Sequence, residues 1–148
     1  MGDVRTDPDG PARGLHAGID IGTTAVKALS CHPDGTTCHV SDTEYPLHSL
    51  HPDHAEQDPD VVLEAVAGAV RALTEDARSR GMRVAVVTFS AAMHSLMALD
   101  GDGRPLTWAL TFADNRAGKQ ADRINAELGG LDIYRRTGTP IHPMSPLT

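Results

Sequence analysis

The chain has 148 residues, which is enough for one modest domain or for part of a larger one. It carries 20 acidic and 13 basic residues, and this acidic balance without a basic stripe argues against a protein that acts mainly on nucleic acid or on an anionic membrane surface. Aromatic residues make up only 3% of the chain, so stacking platforms for single-stranded nucleic acid are not expected.

Residues 1–14 are polar and rich in Pro and Gly, and we expect them to form a disordered N-terminal arm. The arm has no apolar stretch of the kind that a secretory signal needs, and no segment approaches the roughly 20 apolar residues of a membrane span. Two cysteines, Cys31 and Cys38, are too few for a disulfide framework. These features predict a cytoplasmic protein.

Three short strands are predicted after the arm. Residues 15–21 and 25–31 form two strands joined by a Gly-Thr-Thr turn, and a Pro-Asp-Gly turn leads into a third, alternating strand over 37–45. This pattern predicts an antiparallel meander. Residues 46–57, which include three histidines, are predicted to be a polar loop.

A helix is predicted to begin at Asp58-Pro59, because Asp caps free backbone amides and Pro suits the first helical position. Gly81 is expected to end it. The continuous apolar run over 83–89 predicts a strand that is buried on both faces. The apolar stripe of the helix consists of Val62, Val66, Ala69, Leu73 and Ala77.

The last third of the chain predicts two strands over 95–100 and 105–112, around an Asp-Gly-Asp-Gly turn, and a second helix over 115–128. The tail over 137–146 has neither a helix nor a strand signal. A meander followed by a helix and a further strand predicts an α/β fold. Because no closing element follows, we expect a truncated domain whose exposed strand edges make it marginally stable or self-associating.

The segment GIDIGTT is the most informative one. It lacks the spacing and the lysine of a P-loop, and it does not match a Rossmann fingerprint. Asp20 would repel a pyrophosphate unless Mg²⁺ lay between them, whereas Gly22 permits close approach and Thr23 and Thr24 can donate to phosphate oxygens. The alternative is a hairpin turn in which these side chains satisfy only local backbone groups. Lys27 either reaches a phosphate or is an exposed strand lysine.

Five segments of the sequence, in the same order as in the family, resemble the FGGY family of carbohydrate kinases. Within that family, the likeness is greatest to the gluconate kinases and next to the xylulose kinases. The segments cover nearly all of the chain after the arm. They are GIDIGTTAVKAL (18–29), AEQDPDVV (55–62), VTFSAAMHSLMALDGDGRPLTWAL (87–110), ADNRA (113–117) and RTGTPIHPMSPL (136–147).

The resemblance implies an actin-like, ribonuclease-H-like ATPase domain over 15–148, truncated here and normally followed by a second domain. It implies transfer of the γ-phosphoryl group of MgATP to a hydroxyl of a sugar or sugar acid, D-gluconate being favoured. The alternatives are a xylulose-type pentulose kinase, an actin-like ATPase without a sugar substrate, and a non-catalytic fragment that binds polyol or nucleotide. A homodimer is a further possibility for the full-length protein.

The resemblance also implies roles for individual residues. Asp20 would contact the metal, and Gly22, Thr23 and Thr24 would bind the phosphates of ATP. The catalytic base, an Asp, would lie beyond residue 148, so the fragment alone is expected to be inactive. The residues that match segments at the sugar are Met93, His94, Glu56, Gln57, Asp114, Asn115 and Arg116.

Three positions in the segments that resemble the family, or next to them, have open alternatives. Phe112 stands where the family usually has Trp, and the smaller ring could change how the sugar packs. Arg116 is a candidate partner for a gluconate carboxylate, but it could equally be a helix-surface arginine. His94 taken alone is typical of a hydrogen-bonded core histidine, and only its place in the Met-His segment favours a site.

The pairs Cys31-His32 and Cys38-His39 resemble a zinc signature at first sight. Adjacent residues of a strand point to opposite faces, so at most one residue of each pair can face a common metal. A structural hairpin is therefore the favoured interpretation. The three histidines of the 46–57 loop are expected to be solvated rather than ligating.

Overall fold

The computed structural model describes residues 14–145, so the predicted arm, apart from Gly14, and the end of the predicted tail lie outside the described residues. The chain divides into two compact units. Unit 1 comprises residues 14–45 and 62–91, and unit 2 comprises residues 46–61 and 92–145. The elements in chain order are β1 (Leu15–Ile21), β2 (Ala25–Cys31), β3 (Thr37–Glu44), β4 (Glu56–Gln57), α1 (Pro59–Ser79), β5 (Val84–Ala91), β6 (Ala109–Leu110), α2 (Gly118–Glu127) and α3 (Gly130–Thr137).

Unit 1 contains a four-stranded sheet in the order β3-β2-β1-β5. The first three strands form the predicted antiparallel meander, and β5 lies parallel to β1. The predicted bounds of β1 and β2 are confirmed, and β3 ends one residue before its predicted end. An antiparallel meander followed by a helix and a parallel strand is an α/β arrangement, as predicted.

Helix α1 begins as the sequence predicts. The Asp58 carboxylate accepts a hydrogen bond from the amide of Asp60 at 2.9 Å, and Pro59 is the first helical residue. Gly81, with φ of 67°, follows the end of the helix. The core of unit 1 lies between α1 and the inward residues of β1 and β2. The buried residues of the helix are Ala65, Ala69, Leu73 and Ala77.

Strand β5 is close to its predicted position, but its predicted burial on both faces is wrong. Val87 and Phe89 are 42% and 60% exposed. Within the described residues β5 is an edge strand, and Val84 is its one residue among the apolar side chains that pack against the core of unit 1. An apolar run shows that a strand is suited to burial, but the cover itself must come from other segments.

In unit 2, strand β4 pairs antiparallel with β6. The predicted loop over 46–57 is therefore wrong at its last two residues, which form β4. His48 also forms a single bridge with Glu56. The amide of His48 donates to the carbonyl of Glu56 at 2.8 Å, and the amide of Glu56 donates to the carbonyl of His48 at 2.9 Å. These two bonds close the loop between the two residues.

The strands predicted over 95–100 and 105–112 are wrong in extent. Within 105–112 only Ala109 and Leu110 form a strand, β6, which pairs with β4. The rest of the two predicted strands is reduced to isolated bridges. The turn between them is confirmed, with Gly103 in the left-handed region at φ of 80°. The bridges join Leu96 to Leu110 and Leu99 to Pro105.

Helix α2 begins three residues later than the predicted helix over 115–128. The amide of Arg116 donates to the Asp114 carboxylate at 3.1 Å, and the amide of Asn115 donates to the carbonyl of Asp53 at 2.8 Å. The amide of Gly118 donates to the carbonyl of Asn115 at 3.1 Å, only three residues back, so a tight turn precedes the four-residue hydrogen-bond spacing of the α-helix.

Helix α3 is an element that the sequence did not predict. It lies between Gly129 and Gly138, both in the left-handed region with φ of 73°. Its eight residues are fewer than periodicity arguments need. The predicted irregular tail over 137–146 is therefore wrong at its first residue, because Thr137 is the last residue of α3.

Candidate functional site

The turn between β1 and β2 carries the predicted phosphate-binding residues. The amide of Gly22 donates to the carbonyl oxygen of Ala25 at 2.9 Å and closes the turn. A Cβ atom on residue 22 would lie 3.0 Å from that oxygen, so the close approach of the backbones favours glycine here. Thr23 is half-buried and Thr24 is exposed. The geometry of the turn alone thus accounts for the glycine.

Tyr45 supports this turn from the residue after β3. Its hydroxyl donates to the carbonyl of Gly22 at 2.6 Å, and its amide donates to the carbonyl of Thr24 at 2.9 Å. The side chain is only 6% exposed. Burial raises the pKa of the Tyr45 hydroxyl, and the nearby charge of Asp20 raises this pKa further. Sequence reasoning missed Tyr45, because nothing in the pattern shows that its side chain reaches a turn 23 residues earlier.

Asp20 lies on the face of the sheet that carries Lys27. The β1–β2 register places the two residues opposite each other, and both are exposed. They line one cavity of about 360 Å³ together with Thr88 and Ser90 of β5. Lys27 is therefore an exposed strand lysine, as one of its two interpretations held, and it also shares a cavity with the candidate metal ligand.

The donor set at Asp20 suits a Mg²⁺ ion that arrives with a nucleotide. Within residues 14–145, no three His, Cys, Asp or Glu side chains are grouped so that they could hold a metal. Mg²⁺ is commonly bound through one or two carboxylates, with waters and substrate phosphates as its other ligands. A single exposed carboxylate near a turn with two threonines fits that chemistry.

Unit 2 brings three predicted residues into one charged cluster. Nη2 of Arg116 lies 2.7 Å from a Glu56 carboxylate oxygen and 2.7 Å from a carboxylate oxygen of Asp114. Nε of the same guanidinium lies 2.9 Å from the other Asp114 oxygen. The amide of Ala55 also donates to Asp114, at 2.9 Å. We call these three side chains the Glu56–Arg116–Asp114 cluster.

Asp114 is 4% exposed, and its ionisation depends on this cluster. Burial alone raises the pKa of Asp114, but hydrogen bonds from Arg116 and from the Ala55 amide outweigh burial and lower this pKa below its ordinary value. The Asp114 carboxylate in turn raises the pKa of Arg116, with Glu56 contributing in the same direction. Asp114 and Arg116 are therefore both ionised at neutral pH.

This geometry changes the interpretation of Arg116. It precedes α2, and its side chain is 33% exposed, so the alternative of a helix-surface arginine is wrong. Two carboxylates already engage the guanidinium, and the cluster carries one net negative charge. These ion pairs weigh against Arg116 as the partner of a substrate carboxylate, and they support a role in fixing the cluster.

His94 is the one non-glycine residue among residues 14–145 with positive φ, at 63°. Backbone in this region costs on the order of 1 kcal/mol for such a residue and is often found at functional sites. Half-buried His94 lines a cavity of about 270 Å³ with Asp114 and Arg116, which we call the His94 cavity. The structure thus brings together residues from two of the predicted sugar segments.

A second cavity of unit 2, of about 340 Å³, is lined by Met93, His94, Phe112 and Met144. Met93 is 72% exposed. The position at which the family usually has Trp therefore lies in the same cavity as the predicted Met-His pair. A change of ring size at this position alters the wall of that cavity.

The two remaining predicted residues lie outside the cluster. Gln57 is 7% exposed within β4, where it pairs with Ala109. The Asn115 side chain is exposed and donates to the carbonyl of Ala113 at 3.1 Å. These contacts suit a supporting role for Gln57 and a local turn role for Asn115.

Sequence reasoning missed three polar residues that line the His94 cavity, namely Thr111, Gln120 and Ser145. Thr111 is 3% exposed, and its hydroxyl donates to the carbonyl of Ala55 at 3.0 Å. Ser145 is 5% exposed. The tail segment that contains Ser145 carried a signal, because it is one of the five segments that resemble the family.

Comparison with known proteins identifies this arrangement. The model of the FGGY family of carbohydrate kinases, N-terminal domain, matches residues 15–148. A gluconokinase of Bacillus subtilis (strain 168) is 41% identical over 131 residues, which are 88% of this chain and 25% of that protein. The chain thus spans about a quarter of the length of the curated relatives it matches.

Two solved structures from Lactobacillus acidophilus have the same fold, each at 33% identity. A ligand-bound xylulose kinase matches with a TM-score of 0.84, and a gluconate kinase matches with a TM-score of 0.82. Each match covers 90% of this chain and 27% of the other chain. In the part of the chain that the structure describes, no helix is both long enough and apolar enough to cross a membrane. The chain belongs to the FGGY family of carbohydrate kinases, and its residues 15–148 match the model of that family's N-terminal domain.

Proposed function

We propose that this chain supplies the phosphate-binding turn and part of the sugar pocket of an ATP-dependent kinase whose acceptor is D-gluconate. The His94 cavity of unit 2 carries this proposal. This cavity is lined by the strained His94, by the buried Thr111 and Ser145, and by the Asp114 carboxylate. A polyol needs several polar groups held in fixed geometry, and these side chains supply them.

Phosphoryl transfer depends mostly on positioning and on neutralisation of charge. At the β1–β2 turn, Thr23 and Thr24 would donate to phosphate oxygens, and Asp20 would hold Mg²⁺ directly or through water. The bound ion supplies charge neutralisation on the phosphates. Because ATP and sugar acids are metabolites of the cytoplasm, we place the protein there.

The Glu56–Arg116–Asp114 cluster would fix the position of the side chains that line the sugar pocket, and it would take no part in phosphoryl transfer. The base that takes the proton of the acceptor hydroxyl is expected outside these 148 residues, as the family resemblance implies. The identity of 41% to a gluconokinase supports gluconate as the acceptor. Xylulose is the second candidate, because the xylulose kinase structure matches as well as the gluconate kinase structure.

A chimera tests catalytic competence. This chain replaces the matched segment of the Bacillus subtilis gluconokinase, and ADP formation is measured with MgATP, with and without gluconate. We expect gluconate-dependent turnover, and we expect Asp20→Asn in the same chimera to reduce kcat at least tenfold because Mg²⁺ placement is lost. A folded chimera without turnover, or an unaffected Asp20→Asn variant, contradicts the proposal.

A second chimera, with the Lactobacillus acidophilus xylulose kinase as host, tests the acceptor. The ratio of kcat/KM for gluconate to that for xylulose is compared with the ratio of the unmodified host. Since the rest of the pocket belongs to the host, any shift toward gluconate comes from this chain. An unchanged ratio, or a shift toward xylulose, favours the second candidate.

A further inference from the structure

Tyr45 is a buried residue of unit 1 that contacts the proposed phosphate-binding turn. Its ring packs in the apolar core, where it is grouped with residues of β1, β2 and α1. From there its hydroxyl donates to the Gly22 carbonyl at 2.6 Å, and its amide donates to the Thr24 carbonyl at 2.9 Å. One buried residue thus fixes two carbonyl groups of the turn.

The direction of these carbonyls matters for an anionic ligand. Carbonyl oxygens carry partial negative charge and repel phosphate, whereas backbone amides attract it. In a trans peptide, the carbonyl and the amide point in opposite directions, and the described residues contain no cis peptide. The two carbonyls that are fixed toward Tyr45 are therefore kept away from the opposite side of the turn, to which the amides of the same peptides point.

The Tyr45 hydroxyl remains a hydrogen-bond donor at physiological pH. Burial raises the pKa of the Tyr45 hydroxyl, and the charge of Asp20 adds to this effect. The hydroxyl consequently keeps its proton throughout the physiological range. The carbonyl of Gly22 thus has a permanent partner on the core side.

We propose that Tyr45 is a positioning residue for nucleotide phosphate, whose buried hydroxyl holds the carbonyl of Gly22 toward the core and thereby orients the turn for an anion. This inference rests on the proposed role of the turn as the phosphate loop. Tyr45 does not touch the ligand, and it acts only through the backbone of the turn.

The test compares Tyr45→Phe with Tyr134→Phe in the 148-residue chain, because the sequence has only these two tyrosines. Tyr134 lies in α3 and is 48% exposed, so its variant is a matched control. The dissociation constant of MgATP is measured by NMR from the amide shifts of residues 20–25. We expect Tyr45→Phe to weaken MgATP about fivefold, the factor that one hydrogen bond provides, and the control to leave it unchanged.

Amide hydrogen exchange supplies the readout that does not depend on the ligand. In Tyr45→Phe the amides of residues 22 and 45 should exchange faster, while the amides of α1 stay protected. Equal MgATP affinity in the variant and the wild type overturns the inference and leaves the phosphate loop intact. Absence of turn shifts in the wild type overturns the phosphate loop, and unchanged exchange in the variant then also removes the role of Tyr45.

A further measurement avoids substitution, in case Tyr45→Phe does not fold. Uniform labelling with 3-fluorotyrosine gives two ¹⁹F signals. We expect the Tyr45 signal to move on addition of MgATP and the Tyr134 signal to stay in place. A Tyr45 signal that does not respond while the turn amides do respond overturns the inference.

Discussion

The two units of this chain hold their candidate sites in different ways. In unit 1, the turn is fixed by backbone hydrogen bonds and by one buried tyrosine above an apolar core. In unit 2, the site is fixed by the Glu56–Arg116–Asp114 cluster, which joins β4 to the segment before α2. The difference suggests that unit 1 fails when its apolar packing is disturbed, whereas unit 2 fails when a charge is removed.

Truncation of Leu73 is the strongest test of unit 1. Leu73 is 2% exposed in the core beneath the sheet, so Leu73→Ala should lower the free energy of unfolding by about 3 kcal/mol. Urea unfolding, followed by circular dichroism, measures the change. The control is Leu63→Ala on the same helix, which is 66% exposed and should change stability by less than about 0.5 kcal/mol. Equal effects would contradict the assignment of the core.

Removal of Arg116 tests unit 2. Arg116→Ala leaves two carboxylates without their counter-charge, one of them 4% exposed, and should cost about 2 kcal/mol after allowance for the partial exposure of the arginine. The single tryptophan, Trp108, belongs to unit 2, so its fluorescence reports the transition during urea unfolding. The control is Arg123→Ala, whose exposed pair with Glu127 should contribute less than about 0.5 kcal/mol. A cost no larger than that of the control would mean that the cluster does not hold the site.

A methyl group on Gly22 tests the turn itself. The added Cβ would lie 3.0 Å from the carbonyl oxygen of Ala25, so Gly22→Ala should disturb the closing hydrogen bond and cost about 1 kcal/mol. Exchange of the residue 22 amide measures this loss directly. The control is Gly101→Ala in the turn of unit 2, where a Cβ meets open space. Retained protection of the residue 22 amide would show that the turn tolerates a side chain.

Acid should destabilise unit 2 through Asp114. Because the pKa of folded Asp114 is lowered, its stabilising contribution is present above the unfolded pKa of about 3.9 and is lost as the pH falls through the folded value. In Arg116→Ala, burial dominates and raises this pKa, so the loss should begin at a higher pH. Urea midpoints followed by Trp108 between neutral pH and pH 3 measure both profiles. Profiles that coincide would exclude Asp114 as the group responsible.

The turn of unit 1 could be predicted from sequence because all its candidate residues lie within five positions of one another. Their spacing and residue types carry the chemistry directly, and the flanking strands alternate clearly. Tyr45 escaped prediction, because its contact with Gly22 depends on how the third strand folds back. Local pattern contains no information about that contact.

The site of unit 2 shows the opposite case. Glu56 and Arg116 are separated by 60 positions, and only the fold shows that they form an ion pair. The delayed start of α2 is also hidden from local pattern, because the amide of Asn115 donates to the carbonyl of Asp53, which lies far earlier in the chain. The exposed face of β5 was mispredicted since an apolar run cannot report which segments cover it.

A single NMR titration of the ¹⁵N-labelled 148-residue chain tests the central claim, that unit 1 binds the phosphates of ATP and unit 2 binds the sugar acid. MgATP is added first and gluconate second. The account predicts that MgATP shifts the amides of residues 20–25 and that gluconate shifts a separate set around His94 and Asp114. Shifts from both ligands in the same residues, or none at either place, would contradict it.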